Sequence, residues 1–80
     1  MNKSEVLEKV QNIISESIDI DVEKIIPEAT LTDDLEIDSL ELVDLTMNFE
    51  SDLGVTIEDS ELEGIKTVGD IVNLIEKKLG

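Results

Sequence analysis

The large apolar side chains of this chain recur every three or four residues, a spacing that only helices can bury on one side. Val6, Leu7, Val10, Ile13 and Ile14 define one face of a helix predicted from about Lys3 to Ser17. Asn2, with Glu5 three residues on, reads as its capping pair. Near Ile18-Asp19-Ile20-Asp21 the apolar period switches to two, and the helix should fade. A second helix is predicted from about Ser39 to Asp52. Asp38 is its N-cap, Glu41 completes a capping-box pattern, and Gly54 just past Leu53 stops it. A short third helix is expected at about Glu58 to Glu63, with Leu62 its only apolar residue. The last helix starts at a Thr67 cap with Asp70 three residues later. It runs through Val68, Ile71, Val72, Leu74, Ile75 and Leu79, and Lys77 and Lys78 suit the negative end of its dipole.

Ile18 to Ile37 form a long connection, since Pro27 excludes a helix interior there. Ile25, Ile26, Leu31, Leu35 and Ile37 still require burial, so the connection should pack onto the helices, with room for one short helical turn. A loop this long in a small domain is often functional. No segment requires a strand. The expected architecture is all-α: a four-helix bundle with three longer helices, one short helix and a long loop between helices one and two. The 80 residues leave room for one domain, 1–80, of modest stability.

The acids are as unevenly placed as the apolar residues are regular. Net charge is −15, from 21 acids against six lysines, and 13 of the acids fall between Lys24 and Lys66, where there is no base. Such a surface repels nucleic acid and anionic lipid and attracts basic protein patches. It also repels itself, so salt or divalent cations should stabilise the fold. No stretch approaches the roughly 20 apolar residues that span a bilayer. The opening Met1-Asn2-Lys3-Ser4-Glu5 is too polar and acidic for a targeting peptide. The expectation is a monomer in the cytoplasm, or a mature organellar protein, with no nucleic-acid partner and no membrane insertion.

Much chemistry is excluded by composition. The chain has no histidine and no cysteine, which removes Ser-His-Asp and Cys-His arrangements, thiolate metal sites and disulfides. Gly54, Gly64, Gly69 and Gly80 form no phosphate-binding loop. The best calcium-loop candidate starts at Asp19, with Asp21 and Glu23 following. It fails because Lys24 stands at the turn glycine and Thr30 at the bidentate acid. No metal site and no intrinsic enzyme activity are expected.

Asp38-Ser39-Leu40-Glu41 remains. Asp38 takes the capping role, which frees the Ser39 hydroxyl to face outward at the first helical turn. A phosphate attached there would meet free N–H groups and the positive end of the helix dipole. Taken alone, the tetrapeptide is equally ordinary helix capping. The second helix also carries two apolar stripes. Leu42, Leu45, Thr46, Phe49 and Leu53 suit a core, whereas Leu40, Val43 and Met47, flanked by Glu41, Asp44 and Glu50, are surplus to it.

The run Leu35-Glu36-Ile37-Asp38-Ser39-Leu40-Glu41-Leu42-Val43 resembles the phosphopantetheine attachment motif of acyl carrier proteins, in particular the discrete carriers of bacterial fatty-acid synthesis. The likeness extends to Ala29–Leu35 upstream, to Glu50–Ile57 and to Lys66–Val72. One departure stands out: the family often has glycine two residues before the aspartate, where this chain has Glu36. Leu31 and Leu53 stand where relatives often have phenylalanine, and Phe49 is the one aromatic residue.

The resemblance implies a function. A phosphopantetheinyl transferase, using coenzyme A and Mg²⁺, would join 4′-phosphopantetheine covalently to Ser39, with Asp38 helping to present it. The arm's thiol would then carry acyl groups as thioesters between fatty-acid synthesis enzymes and acyltransferases. Ser39 is on this reading an attachment point, and the chain a carrier without catalysis of its own. Leu40, Glu41, Val43, Asp44, Met47 and Glu50 would meet basic patches on those partners. Leu42, Leu45, Thr46, Phe49, Leu62, Ile65 and Ile71 would be walls of a space for the acyl chain, though each also suits plain core packing. Two readings stand beside this one: a carrier of polyketide, aminoacyl or D-alanyl units, and an acidic helical adaptor or cation-binding protein without an arm.

Overall fold

The computed structural model describes residues 2–79. Four helices follow in order: α1 (Lys3–Ile18), α2 (Ser39–Leu53), α3 (Asp59–Leu62) and α4 (Val68–Leu79), with a single 3₁₀ turn at Val22–Lys24 inside the long connection. No strand forms among the described residues; the one trace of pairing is an isolated antiparallel bridge between Thr30 and Thr67.

The helix ends are set by the local chemistry the sequence announces. Asn2 Oδ1 accepts the Glu5 N–H at 2.9 Å and opens α1. Gly54 closes α2 in the left-handed region (φ 68°), its N–H donating to the Glu50 carbonyl at 3.0 Å. Thr67 and Asp70 cap α4 reciprocally: the Asp70 N–H donates to Thr67 Oγ1 at 3.2 Å, and the Thr67 N–H to Asp70 Oδ2 at 3.1 Å. Asp19, which ends α1, also lies in the left-handed region at φ 52°. An aspartate tolerates that conformation better than most residues.

Helix α1 is the hub. Helices α2 and α4 both pack on it. Its buried face is Val6, Val10, Ile13 and Ile14, met by Leu45 and Phe49 of α2 and by Val68, Ile71, Val72 and Ile75 of α4. Thr46, the one buried polar side chain among the described residues, is satisfied: its hydroxyl donates to the Leu42 carbonyl at 2.8 Å. Ile25, Ala29, Leu31, Leu35 and Ile37 of the connection join the same core. Ile26 does not; it is 47% exposed. It directly follows Ile25, and in non-helical chain successive side chains point to opposite sides, so the burial of one turns the other to water.

The connection is also tied by hydrogen bonds. Gln11 Nε2 donates to the Ile25 carbonyl at 2.7 Å. Across the molecule the start of α4 holds the loop. Leu31 N–H donates to the Lys66 carbonyl at 2.9 Å, Val68 N–H to the Ala29 carbonyl at 3.0 Å, and Gly69 N–H to the Pro27 carbonyl at 2.9 Å. The approach is close enough that a Cβ on Gly69 would lie 3.1 Å from the Pro27 oxygen.

Candidate functional site

Ser39 is the first residue of α2 and is exposed. Its surroundings explain why its hydroxyl is free. Asp38 is extended (φ −89°, ψ 179°), and its Oδ1 accepts the Glu41 N–H at 2.8 Å. Glu41 Oε1 reaches back to the Asp38 N–H at 3.3 Å, closing the capping box. Asp38 therefore does the work of a cap, and Ser39 Oγ makes no hydrogen bond among the described residues. The Ser39 and Leu40 N–H groups likewise have no acceptor there. Two unengaged donors at the positive end of a 15-residue helix suit an anion on the Ser39 oxygen.

The segment leading into Ser39 is built to deliver it. Thr30 and Asp34 bracket a tight turn, with the Thr30 N–H donating to Asp34 Oδ2 at 2.8 Å and the Asp34 N–H to the Thr30 carbonyl at 3.1 Å. Glu36 then takes a left-handed conformation, φ 56°. That swing lets the Ile37 N–H donate to the Leu31 carbonyl at 2.7 Å and buries Leu35 and Ile37 on either side of it. A glycine would take this conformation without strain.

A cavity of about 360 Å³ opens beside the serine. Its walls are Asp38, Ser39 and Leu42 from the start of α2, Leu31 and Ile37 from the connection, and Ile65 and Lys66 from the link into α4. Thr30, Thr32 and Asp33 complete the rim. Of the seven residues expected to wall an acyl space, only Leu42 and Ile65 border this cavity. Leu45, Thr46, Phe49 and Ile71 lie in closed packing beneath, and Leu62 is half-buried on α3. Sequence reasoning missed Thr30, Leu31, Thr32, Asp33, Ile37 and Lys66 as cavity residues. Leu31 and Ile37 carried a signal, an apolar residue in a loop next to the motif. Lys66 carried none, because only the bridge between Thr30 and Thr67 brings it close.

The surplus stripe on α2 is solvent-facing: Leu40 is 77% exposed, Val43 46% and Met47 54%. Asp44 is exposed beside it. Glu41 and Glu50 are half-buried and partly occupied, Glu41 in the capping box and Glu50 by accepting the Ile57 N–H at 3.0 Å. No cluster of acids that could hold a metal ion occurs among the described residues, and no helix of the described residues is long and apolar enough to cross a membrane.

Comparison with known proteins agrees with this geometry. The family model described as "Phosphopantetheine attachment site" matches residues 8–75. The acyl carrier protein of Petrotoga mobilis is 57% identical over 99% of this chain and 93% of its own length. That of Thermotoga maritima is 54% identical, covering 99% and 98%. A crystal structure of a Thermotoga maritima acyl carrier protein superposes with a TM-score of 0.85 at 34% identity, covering 99% of this chain and 92% of that one. A family match over most of the chain, full-length relatives and a shared all-helical fold lead to one conclusion: the chain belongs to the acyl carrier proteins, the carriers of fatty-acid synthesis that hold acyl groups on covalent 4′-phosphopantetheine.

Proposed function

We infer that Ser39 is the residue that receives the arm. The observation that carries this is the free Ser39 hydroxyl at the head of α2, its capping duty taken by Asp38 and its neighbouring N–H groups unengaged. A phosphopantetheinyl transferase, with coenzyme A and Mg²⁺, is the partner that loads it. The Ser39 oxygen forms a bond to the phosphorus nearest the pantetheine, its proton leaves to the transferase side, and adenosine 3′,5′-bisphosphate departs. The product is a phosphodiester whose negative charge the start of α2 stabilises. When bound, the group supplies the thiol that a chain without cysteine lacks. Asp38 holds the helix start rigid and so fixes where the serine oxygen points.

The exposed stripe of Leu40, Val43 and Met47, bordered by Asp44 and in part by Glu41 and Glu50, is the surface offered to basic patches on fatty-acid synthesis enzymes and acyltransferases. An adaptable methionine in it suits successive partners. The chain works as one carrier domain and as a monomer, in the cytoplasm. The cavity between Ser39 and Ile65 is the entrance through which an acyl chain passes Leu42 toward Leu45, Thr46, Phe49, Leu62 and Ile71.

The test is intact mass before and after incubation with coenzyme A, Mg²⁺ and a broad-specificity transferase, beside a Ser39→Ala control. A gain of one phosphopantetheine group in the native chain alone is expected. A gain in both proteins, or in neither with a cognate transferase, overturns the assignment of Ser39.

A further inference from the structure

Lys66 is the one cation on the walls of the cavity beside Ser39. It is placed there by its own backbone: its carbonyl accepts the Leu31 N–H, and its N–H donates to Asp70 Oδ2 at 3.0 Å. The only ion pair among the described residues joins Lys78 to Glu61 at 2.9 Å, so the Lys66 ammonium is in no ion pair there, though its charge acts on the nearby Asp70 carboxyl. Its surroundings are anionic, with Asp33 and Asp38 on the same rim and Asp70 at the head of α4. A phosphodiester on Ser39 would add a further negative charge to this rim. The four-carbon stem of a lysine lets its head swing across such an opening.

We propose that Lys66 is a positioning residue for the arm: its ammonium pairs with the phosphodiester on Ser39 from the opposite wall of the cavity and orients the root of the arm over the cavity mouth. The inference rests on Ser39 as the attachment point. It couples the link between α3 and α4 to the loaded state, because the phosphate would bridge the head of α2 and the residue just before α4. Asp33, Asp38 and Asp70 are present with or without the arm, so a comparison of the unloaded and loaded chain isolates the effect of the phosphate.

The experiment begins with intact mass on the full chain treated with transferase and coenzyme A. No gain of the group with a cognate transferase would remove the Ser39 assignment and this proposal with it. With the gain confirmed, the Lys66 side-chain Nζ and Cε resonances are compared by NMR in unloaded and loaded protein, each at low and at high salt. The expected result is a displacement of these resonances on loading at low salt that high salt largely removes, as an ion pair with the phosphodiester requires. The ³¹P resonance of the loaded protein at neutral pH should move in Lys66→Met and stay in place in Lys66→Arg, which keeps the charge. Both variants change an exposed side chain and should fold. Lys66 side-chain resonances unmoved by loading, or a ³¹P resonance indifferent to Lys66→Met, would overturn the role of Lys66 while leaving Ser39 as the attachment point.

Discussion

At the scale of single residues, the two that set the serine act in opposite senses. Asp38 stabilises the head of α2, and Asp38→Ala should lower stability by about 1 kcal/mol, the usual worth of a lost cap. The midpoint of urea unfolding measures this, and loading with the arm should slow as the helix start loosens. Glu36 destabilises: a non-glycine residue at φ 56° costs about 1–2 kcal/mol. Glu36→Gly removes that strain but returns about 0.5–1 kcal/mol through the freer unfolded chain. The net expectation is a gain of about 0.5–1 kcal/mol in the same measurement, and a loss on this substitution would show that the Glu36 side chain has a stabilising contact of its own. Asp38, Ser39 and Glu41 were legible as a motif because a capping box is a local arrangement, written within four residues. The conformation of Glu36 was not, because nothing in its own chemistry asks for a positive φ; the demand comes from the Thr30–Asp34 turn and the burial of Leu35 and Ile37 around it.

At the scale of elements, the junction of α3, α4 and the long connection is the most informative. Backbone hydrogen bonds from Lys66 and Thr67, then the Thr67 hydroxyl and the Lys66 charge, hold the Asp70 carboxyl below the usual aspartate range. The Glu58 N–H and then Lys78 lower Glu61 in the same direction. An acid whose folded value lies below its unfolded one contributes stability that is complete above the unfolded value, about pH 4, and is lost as pH falls through the folded one. Asp70→Asn should therefore be less stable than the native chain at about pH 6, with the difference shrinking from about pH 4 downward. Thermal unfolding at about 1 M salt, where general repulsion is screened, reads this directly. A difference that persists unchanged at pH 2 would contradict it. The same junction shows where sequence reading ended. Helix positions came from apolar spacing and caps, and α1, α2 and α4 lie within a residue or two of expectation. The strap from Pro27, Ala29 and Leu31 to Lys66, Val68 and Gly69 is made by backbone groups 35 to 42 residues apart, so no side-chain pattern announces it. That is why Lys66 escaped notice as a cavity wall.

At the scale of the whole molecule, charge governs both stability and recognition, and the two can be separated. A net charge of −15 on 80 residues repels itself, so the melting temperature at neutral pH should rise when salt or Mg²⁺ is added, and a flat response would count against it. If the acids of α2 meet basic enzyme patches as proposed, partner binding should respond in the opposite sense, because that attraction is screened by the same ions. A shuttle must leave each enzyme quickly, which favours fast electrostatic encounter over tight binding. Affinity for a fatty-acid synthesis enzyme is therefore expected in the micromolar range, weakening by about tenfold or more between about 50 mM and 500 mM salt, mostly through the association rate. The apolar stripe should act on the other rate. Met47→Ala removes contact area without removing charge, so it should speed dissociation and leave the salt dependence of association in place. Asp44→Asn should do the reverse, slowing association and flattening its salt dependence. Stopped-flow or surface-binding kinetics on the two variants, each at low and high salt, decides the matter. If both variants alter the same rate with the same salt dependence, the division between a steering charge and a holding stripe on α2 is wrong.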